Sequence, residues 1–364
     1  MAAADPVFVQ RLARVGPALL AALEAFEVAR RRLHPPQIPS LREGLRPFAD
    51  RLSAALGEFT AAPAPEGLGD LAAQLARAGE TAEGALRDFC NTGPPQEEIG
   101  RVLRAMRRHC RAQELLYPLR KVLPPVGRYF VEPPYRDRLA EIDPDPVPGR
   151  AVGIITARSG SGARGGFSLY VPERYDPARS WPLVVALHGG SGTGDDFLWA
   201  WLSEARGRGF LLLAPTSLGS TWSLMEPDVD APALRTMVDY VREHWRVDDA
   251  HILLTGLSDG ATYTLLCGLQ ADMPFTALAP VSGVLHPANL VNGNLERARG
   301  RRIYLVHGVL DWMFPIALAR LACQELERAG ADVTFRPIAD LSHTYPREEN
   351  DRILSWFDPT LALP

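Results

Sequence analysis

His251-Ile-Leu-Leu-Thr-Gly256-Leu-Ser258-Asp-Gly260-Ala-Thr-Tyr263 divides into three parts. Ile252 to Thr255 are apolar or β-branched and predict a short buried strand. Gly256-Leu-Ser258-Asp-Gly260 fits a G-x-S-x-G pattern, and Ala261 to Leu269 is compatible with a helix. Strand, tight turn and helix in that order give the pattern a mechanism. The turn holds Ser258 in a strained conformation with its hydroxyl lifted clear, and the two glycines let neighbouring elements pass close. Ser258 also falls at a helix N-terminus, where unpaired N–H groups favour developing negative charge. In a chain with 31 glycines the pattern also arises by chance as a plain loop, so other segments have to support it.

They do so on both sides. Val152 to Ala157 and Gly166 to Val171 predict an antiparallel pair joined by a Gly/Ser turn at 159–165. Leu183 to Leu187 is a continuous apolar strand running into His188-Gly189-Gly190-Ser191-Gly192. Phe210 to Pro215, Phe275 to Val281, Arg302 to Val306 and Val333 to Pro337 predict further strands. Helical periodicity covers Asp195 to Arg206, Ala233 to Trp245, Ile316 to Ala329 and Arg347 to Phe357. Apolar strands alternating with amphipathic helices predict a mostly parallel sheet with helices on both faces. Sites in such sheets form at the carboxyl ends of strands.

Three polar residues stand at predicted strand ends. Ser258 follows one strand. Asp311 follows Ile303-Tyr-Leu-Val-His307-Gly308-Val-Leu, and His343 follows Val333 to Ile338. A serine hydroxyl needs a neutral imidazole to take its proton and return it to the leaving group. A buried carboxylate must hold that imidazole in the right tautomer. Ser258, Asp311 and His343 are therefore the candidate catalytic residues. Asp340 is a rival acid on the histidine's own loop, and His286, before Pro287, is a weaker candidate base. The tetrahedral oxyanion needs fixed N–H donors. The amide of Asp259, next after the nucleophile, is one. The small-residue loop after Leu187 supplies the other, with Gly190 favoured and Ser191 next. Trp222 and Trp312 each closely follow a strand end and are candidates for a substrate pocket. No spacing of acids, histidines or cysteines suggests a metal.

The blocks Leu187-His-Gly-Gly-Ser-Gly-Thr-Gly194, Gly256-Leu-Ser-Asp-Gly260, His307-Gly-Val-Leu-Asp311 and Ser342-His343 resemble those of α/β-hydrolase serine esterases. The order Ser, Asp, His is the order of that fold. The phospholipase/carboxylesterase and polyhydroxybutyrate-depolymerase/feruloyl-esterase-like branch is the most similar. The resemblance covers about residues 150–360. It implies a catalytic triad of Ser258, Asp311 and His343, oxyanion roles for Gly190 and Asp259, and hydrolysis of small-molecule or polymeric carboxylic esters without cofactor or metal. Asp259 departs from the family, in which many members carry a small or aromatic residue or Gln. A peptidase of the same fold, and a non-catalytic binding protein whose helices mediate assembly, are the alternatives.

The region before that resemblance reads as all-helical. Phe8, Leu12, Val15, Leu19, Leu23 and Phe26 line one helix face, and Pro35-Pro36 stops it. Leu41, Leu45, Phe48, Leu52, Leu56 and Phe59 mark a second helix with Ser40 as its expected N-cap. Leu68 to Phe89 mark a third, expected to be irregular around Gly79. A fourth starts near Ile99, and its arginines 101, 104, 107, 108 and 111 read as a solvated face pairing with acidic neighbours. Prolines cluster between Leu123 and Arg150 and predict an extended connector. The expected organisation is a helical bundle over residues 1–122 serving as lid or oligomerisation element, a Pro-rich connector over 123–149, and a catalytic domain over 150–364.

Composition bounds the rest. The 364 residues are 46% hydrophobic, enough for two cores. A net charge of −4 without a Lys/Arg block argues against a nucleic-acid partner. No stretch has the length of a membrane span, and no secretory signal is visible at the start. Four cysteines without metal-type spacing fit a reduced, cytoplasmic setting.

Overall fold

The computed structural model describes residues 5–145, 147–158, 160 and 164–364. The chain divides into two compact units, Met1–Arg136 and Asp137–Pro364.

The first unit is helical. Its long helices are α1 (Pro6–Arg31), α2 (Ile38–Thr60), α3 (Gly69–Cys90) and α4 (Glu98–Leu116). The apolar stripe of α1 is buried at Phe8, Val15, Leu19, Leu23 and Phe26. Asp5 caps this helix by accepting from Val7 N at 2.9 Å. Ser40 does not cap α2. That helix begins one turn earlier, at Ile38, and the Ser40 hydroxyl donates back to the Gln37 carbonyl. Helix α3 runs unbroken through Gly79, and the missing Cβ there makes room for Leu56 of α2. The arginines of α4 meet acids and carbonyls: Arg101 pairs with Glu97 and Glu98, Arg108 with Asp88, and Arg111 with Glu114. His109 is buried, stacked on Phe26 at 4.7 Å.

The proline-rich segment is not extended. It forms α5 (Pro124–Tyr129), a 3-10 turn at Pro133–Tyr135 and α6 (Leu139–Ile142). In α5 and the 3-10 turn the paired prolines occupy the first positions, where a missing N–H costs nothing and the fixed φ suits a helix. The turn expected at 159–165 falls largely outside the described residues, as does position 146.

The second unit is built on eight strands: β1 (Gly153–Arg158), β2 (Gly166–Val171), β3 (Trp181–Leu187), β4 (Leu211–Pro215), β5 (Val247–Leu257), β6 (Ala277–Val281), β7 (Arg302–Gly308) and β8 (Asp332–Ile338). Their order in the sheet is β1-β2-β4-β3-β5-β6-β7-β8. β1 and β2 are antiparallel, and β3 to β8 run parallel. β3, β4 and β6 are buried almost throughout, which is what a sheet covered on both faces requires. The helices are α7 (Gly194–Phe197), α8 (Leu202–Glu204), α9 (Asp230–His244), α10 (Asp259–Gly268), α11 (Ala288–Val291), α12 (Ile316–Arg328) and α13 (Asn350–Phe357). The single helix expected over Asp195 to Arg206 is instead a series of short turns, with Trp199 and Trp201 buried among them.

Register brings the functional segments together. Leu187 pairs with Gly256, Leu257 with Val281, Val281 with Val306, and Gly308 with Ile338. The ends of β3, β5, β7 and β8 are therefore level, and the loops that follow them open on one edge of the sheet. Among the described residues no helix is long and apolar enough to cross a membrane.

Candidate active site

Ser258 sits between β5 and α10 with φ +58° and ψ −119°. This is a left-handed conformation that a residue with a Cβ adopts only when its surroundings impose it. Here Ser258 N donates to the Val281 carbonyl at 3.0 Å, and its own carbonyl accepts from Thr262 N at 2.9 Å. The backbone thus leaves the sheet and enters the helix within one residue. The flanking glycines make that possible. A Cβ on Gly256 would come within 2.6 Å of the Gly260 carbonyl, and one on Gly260 would collide with the His188 and Leu187 carbonyls at the end of β3.

His343 Nε2 lies 2.9 Å from Ser258 Oγ, and its Nδ1 lies 2.8 Å from Asp311 Oδ2. A carboxylate only accepts, so Nδ1 carries the hydrogen and Nε2 offers its lone pair to the serine hydroxyl. Asp311 is fully enclosed, and its Oδ1 accepts from Met313 N (3.0 Å) and Phe314 N (2.8 Å). These amides fix the carboxylate so that Oδ2 is the oxygen presented to His343. Phe314 closes the far side, its ring edge-on to the imidazole at 5.3 Å. His307 donates from Nε2 to the Phe314 carbonyl at 2.7 Å and braces the same loop. Gly308 allows the acid loop to cross the histidine loop, since a Cβ there would strike the Leu341 and Ser342 carbonyls. Of the rival residues, Asp340 is not the acid paired with His343, and His286 accepts from Ala288 N within its own turn.

The loop after β3 is fixed by its neighbours. Ser191 N donates to the Ser220 carbonyl (2.9 Å) and Gly192 N to the Gly189 carbonyl (3.0 Å). That commits the Ser191 amide and leaves Gly190 as the better donor for an oxyanion. Asp259 N is the first amide of α10 and has no acceptor within the helix. His188 accepts from Ser217 N at Nε2 (3.1 Å) and donates from Nδ1 to the Gly189 carbonyl (2.7 Å), a pattern only the neutral ring can make.

Trp222 does not line a pocket. It is 2% exposed, stacked on Tyr263 with the His188 ring tilted against it, and its Nε1–H donates to the His188 carbonyl at 2.8 Å. It supports the glycine loop from below. Trp312 is 49% and Met313 48% exposed, directly beyond Asp311. Thr221, Ser217 and Asp230 are the polar residues that the sequence reading missed. Asp230 accepts from Leu218 N and Ser223 N and so ties the loop after β4 to the start of α9. An acid in the first turn of α9 was a readable signal, whereas Thr221 meets Asp259 and the Ser217 amide meets His188 across long stretches of sequence.

Residues 228–359, which include Ser258, Asp311 and His343, match the phospholipase/carboxylesterase family model. Over these residues the chain is similar to the phospholipase/carboxylesterase family. The chain is similar to feruloyl esterase C of Emericella nidulans, 28% identical over 160 residues, covering 41% of this chain and 56% of that protein. It is also similar to uncharacterized protein YcjY of Escherichia coli, 25% identical over 122 residues, covering 32% and 40%. The chain spans about half the length of the curated relatives it matches. Among solved structures, the apo form of Thermogutta terrifontis esterase 2 is similar at 18% identity and TM-score 0.46, over 61% of this chain and 98% of that one.

The buried histidines predict that the fold loses stability in acid. Burial pulls the His188 imidazole down to about 4 from the ordinary 6.5, and burial lowers His307 as well. Between those values the unfolded chain binds a proton that the folded chain refuses. The contribution is therefore complete above pH 6.5 and is lost as pH falls toward 4, by roughly 3 kcal/mol for His188. The urea midpoint is expected to fall between pH 7 and pH 4.5, and to fall less steeply in His188→Gln. Equal slopes for both proteins would contradict this account.

Proposed function

We propose that the protein is a hydrolase that cleaves carboxylic esters through an acyl-serine intermediate, with Ser258, His343 and Asp311 as its triad. The observation that carries the reading is the unbroken hydrogen-bond chain from Ser258 Oγ through the His343 ring to Asp311 Oδ2. His343 Nε2 takes the hydroxyl proton as Ser258 Oγ attacks the ester carbonyl carbon. The carbonyl electron pair moves onto oxygen, where the amides of Asp259 and Gly190 stabilise it. Collapse expels the alkoxide, which takes the proton from His343. A water then repeats the sequence, using the same base, and releases the carboxylic acid. Asp311 keeps Nδ1 protonated throughout and stabilises the imidazolium without taking its proton.

Trp312 and Met313 place exposed apolar surface directly beyond the acid and supply an edge for an apolar acyl or aryl group. Similarity to a protein named feruloyl esterase supports aryl acid esters within that class. A panel of p-nitrophenyl and methyl aryl esters run beside aminoacyl anilides tests the reading. Ester turnover is expected to exceed anilide turnover on every matched acyl group. Faster anilide cleavage would make the chain a peptidase.

A further inference from the structure

Asp259 contributes more to this geometry than its amide. Its carboxylate turns back toward the glycine loop, where Oδ2 accepts from Thr221 Oγ1 at 2.6 Å. The same oxygen packs on Gly190: a Cβ built there would lie 2.7 Å from Oδ2 and 3.9 Å from Thr221 Oγ1. Thr221 is itself held in a segment that grips the glycine loop at two points. The Ser220 carbonyl accepts from Ser191 N, and Trp222 Nε1 donates to the His188 carbonyl. Residues 220–222 thus bracket Gly189 and Gly190, and the residue at the middle of the bracket is bonded to Asp259.

The two amides assigned to the oxyanion belong to segments far apart in sequence, Gly190 after β3 and Asp259 after β5. Their separation is not set by either segment alone. We infer that the Asp259 side chain is a positioning residue that fixes this separation, acting with Thr221, and that position 190 is glycine because the carboxylate occupies the place of a side chain. The inference rests on the acyl-serine reading. An acidic residue at the start of a helix has a simpler use, since it complements the helix dipole. That use would affect stability and leave the rate of the chemical step untouched.

The test measures kcat, KM, thermal midpoint and inhibition by an alkylboronic acid, whose tetrahedral serine adduct mimics the charged intermediate. Asp259→Ala and Thr221→Val are each expected to lower kcat about 10- to 100-fold, the scale of an ångström-level misplacement, with KM within about 3-fold. Boronate affinity should fall in parallel. The double variant should be no worse than the poorer single one, because both remove one brace. Asp259→Asn retains an acceptor for Thr221 and should recover most of the rate. Gly190→Ala should be impaired, and adding Asp259→Ala should restore part of its activity by freeing the space.

The inference is overturned if Thr221→Val and Asp259→Ala keep kcat within about 2-fold of the wild type. It is also overturned if losses follow the thermal midpoint alone and Asn rescues nothing. Wild-type protein that neither turns over esters nor reacts with a fluorophosphonate at Ser258 would remove the acyl-serine reading itself, and this inference with it. Wild-type protein that does both while the variants match it would remove only the inference.

Discussion

Ser258→Ala is expected to lower kcat for ester hydrolysis by at least about 10³-fold while the protein remains folded. The substitution removes one oxygen, whose partner is His343 Nε2 at 2.9 Å. The elbow is held by bonds that alanine keeps: the amide at 258 to the Val281 carbonyl, and the carbonyl at 258 to Thr262 N. The positive φ suits alanine no worse than serine, and the glycines that relieve crowding are untouched. Stability should therefore change little, and the loss should lie in kcat. Steady-state kinetics together with a thermal melt check both halves. Activity within 10-fold of wild type would assign the nucleophile elsewhere.

Asp311→Asn is expected to cost about 10³- to 10⁴-fold in kcat, the scale known for this change in serine triads. The orientation of the new amide is imposed by its surroundings. Met313 N and Phe314 N both point at Oδ1, so the asparagine oxygen must remain there. Its NH₂ then faces His343 Nδ1, which must accept and not donate. The hydrogen moves to Nε2, where it faces Ser258 Oγ, and the general base is lost although every atom keeps its place. A variant with near-normal kcat would mean that another group sets the tautomer. His307 Nε2 lies 3.5 Å from Asp311 Oδ2 but donates to the Phe314 carbonyl, and as an imidazole it cannot take the place of the carboxylate.

The parallel sheet and the three strand-end residues could be read from the chain because they depend on local pattern. Leu183 to Leu187 and Ile252 to Thr255 are apolar without alternation, which only a strand buried on both faces needs. Glycines at 256, 260 and 308 mark places where backbones cross, and the structure shows which carbonyls occupy the space. Features held by contacts between distant segments were not legible. Trp222 follows a strand end as a pocket residue would, yet its indole is claimed by the His188 carbonyl and the Tyr263 ring. Thr221 is an ordinary loop threonine until Asp259 is placed beside it. The prolines of 124–134 read as an extended strap because a pair of prolines breaks a helix interior. At the start of a helix the same residues favour one, and the position within the turn decides. The side chain of Asp259, unexplained by comparison with the family pattern, acquires a reason only from the contact with Gly190.

The central claim is that Ser258 is a nucleophile activated by His343. Intact and peptide mass spectrometry after treatment with a fluorophosphonate tests it most directly. One adduct per chain, located on Ser258, is predicted, with ester hydrolysis lost in proportion to labelling and both abolished in His343→Ala. A folded protein that turns over esters and carries no adduct on Ser258, or carries it on another residue, would contradict the account.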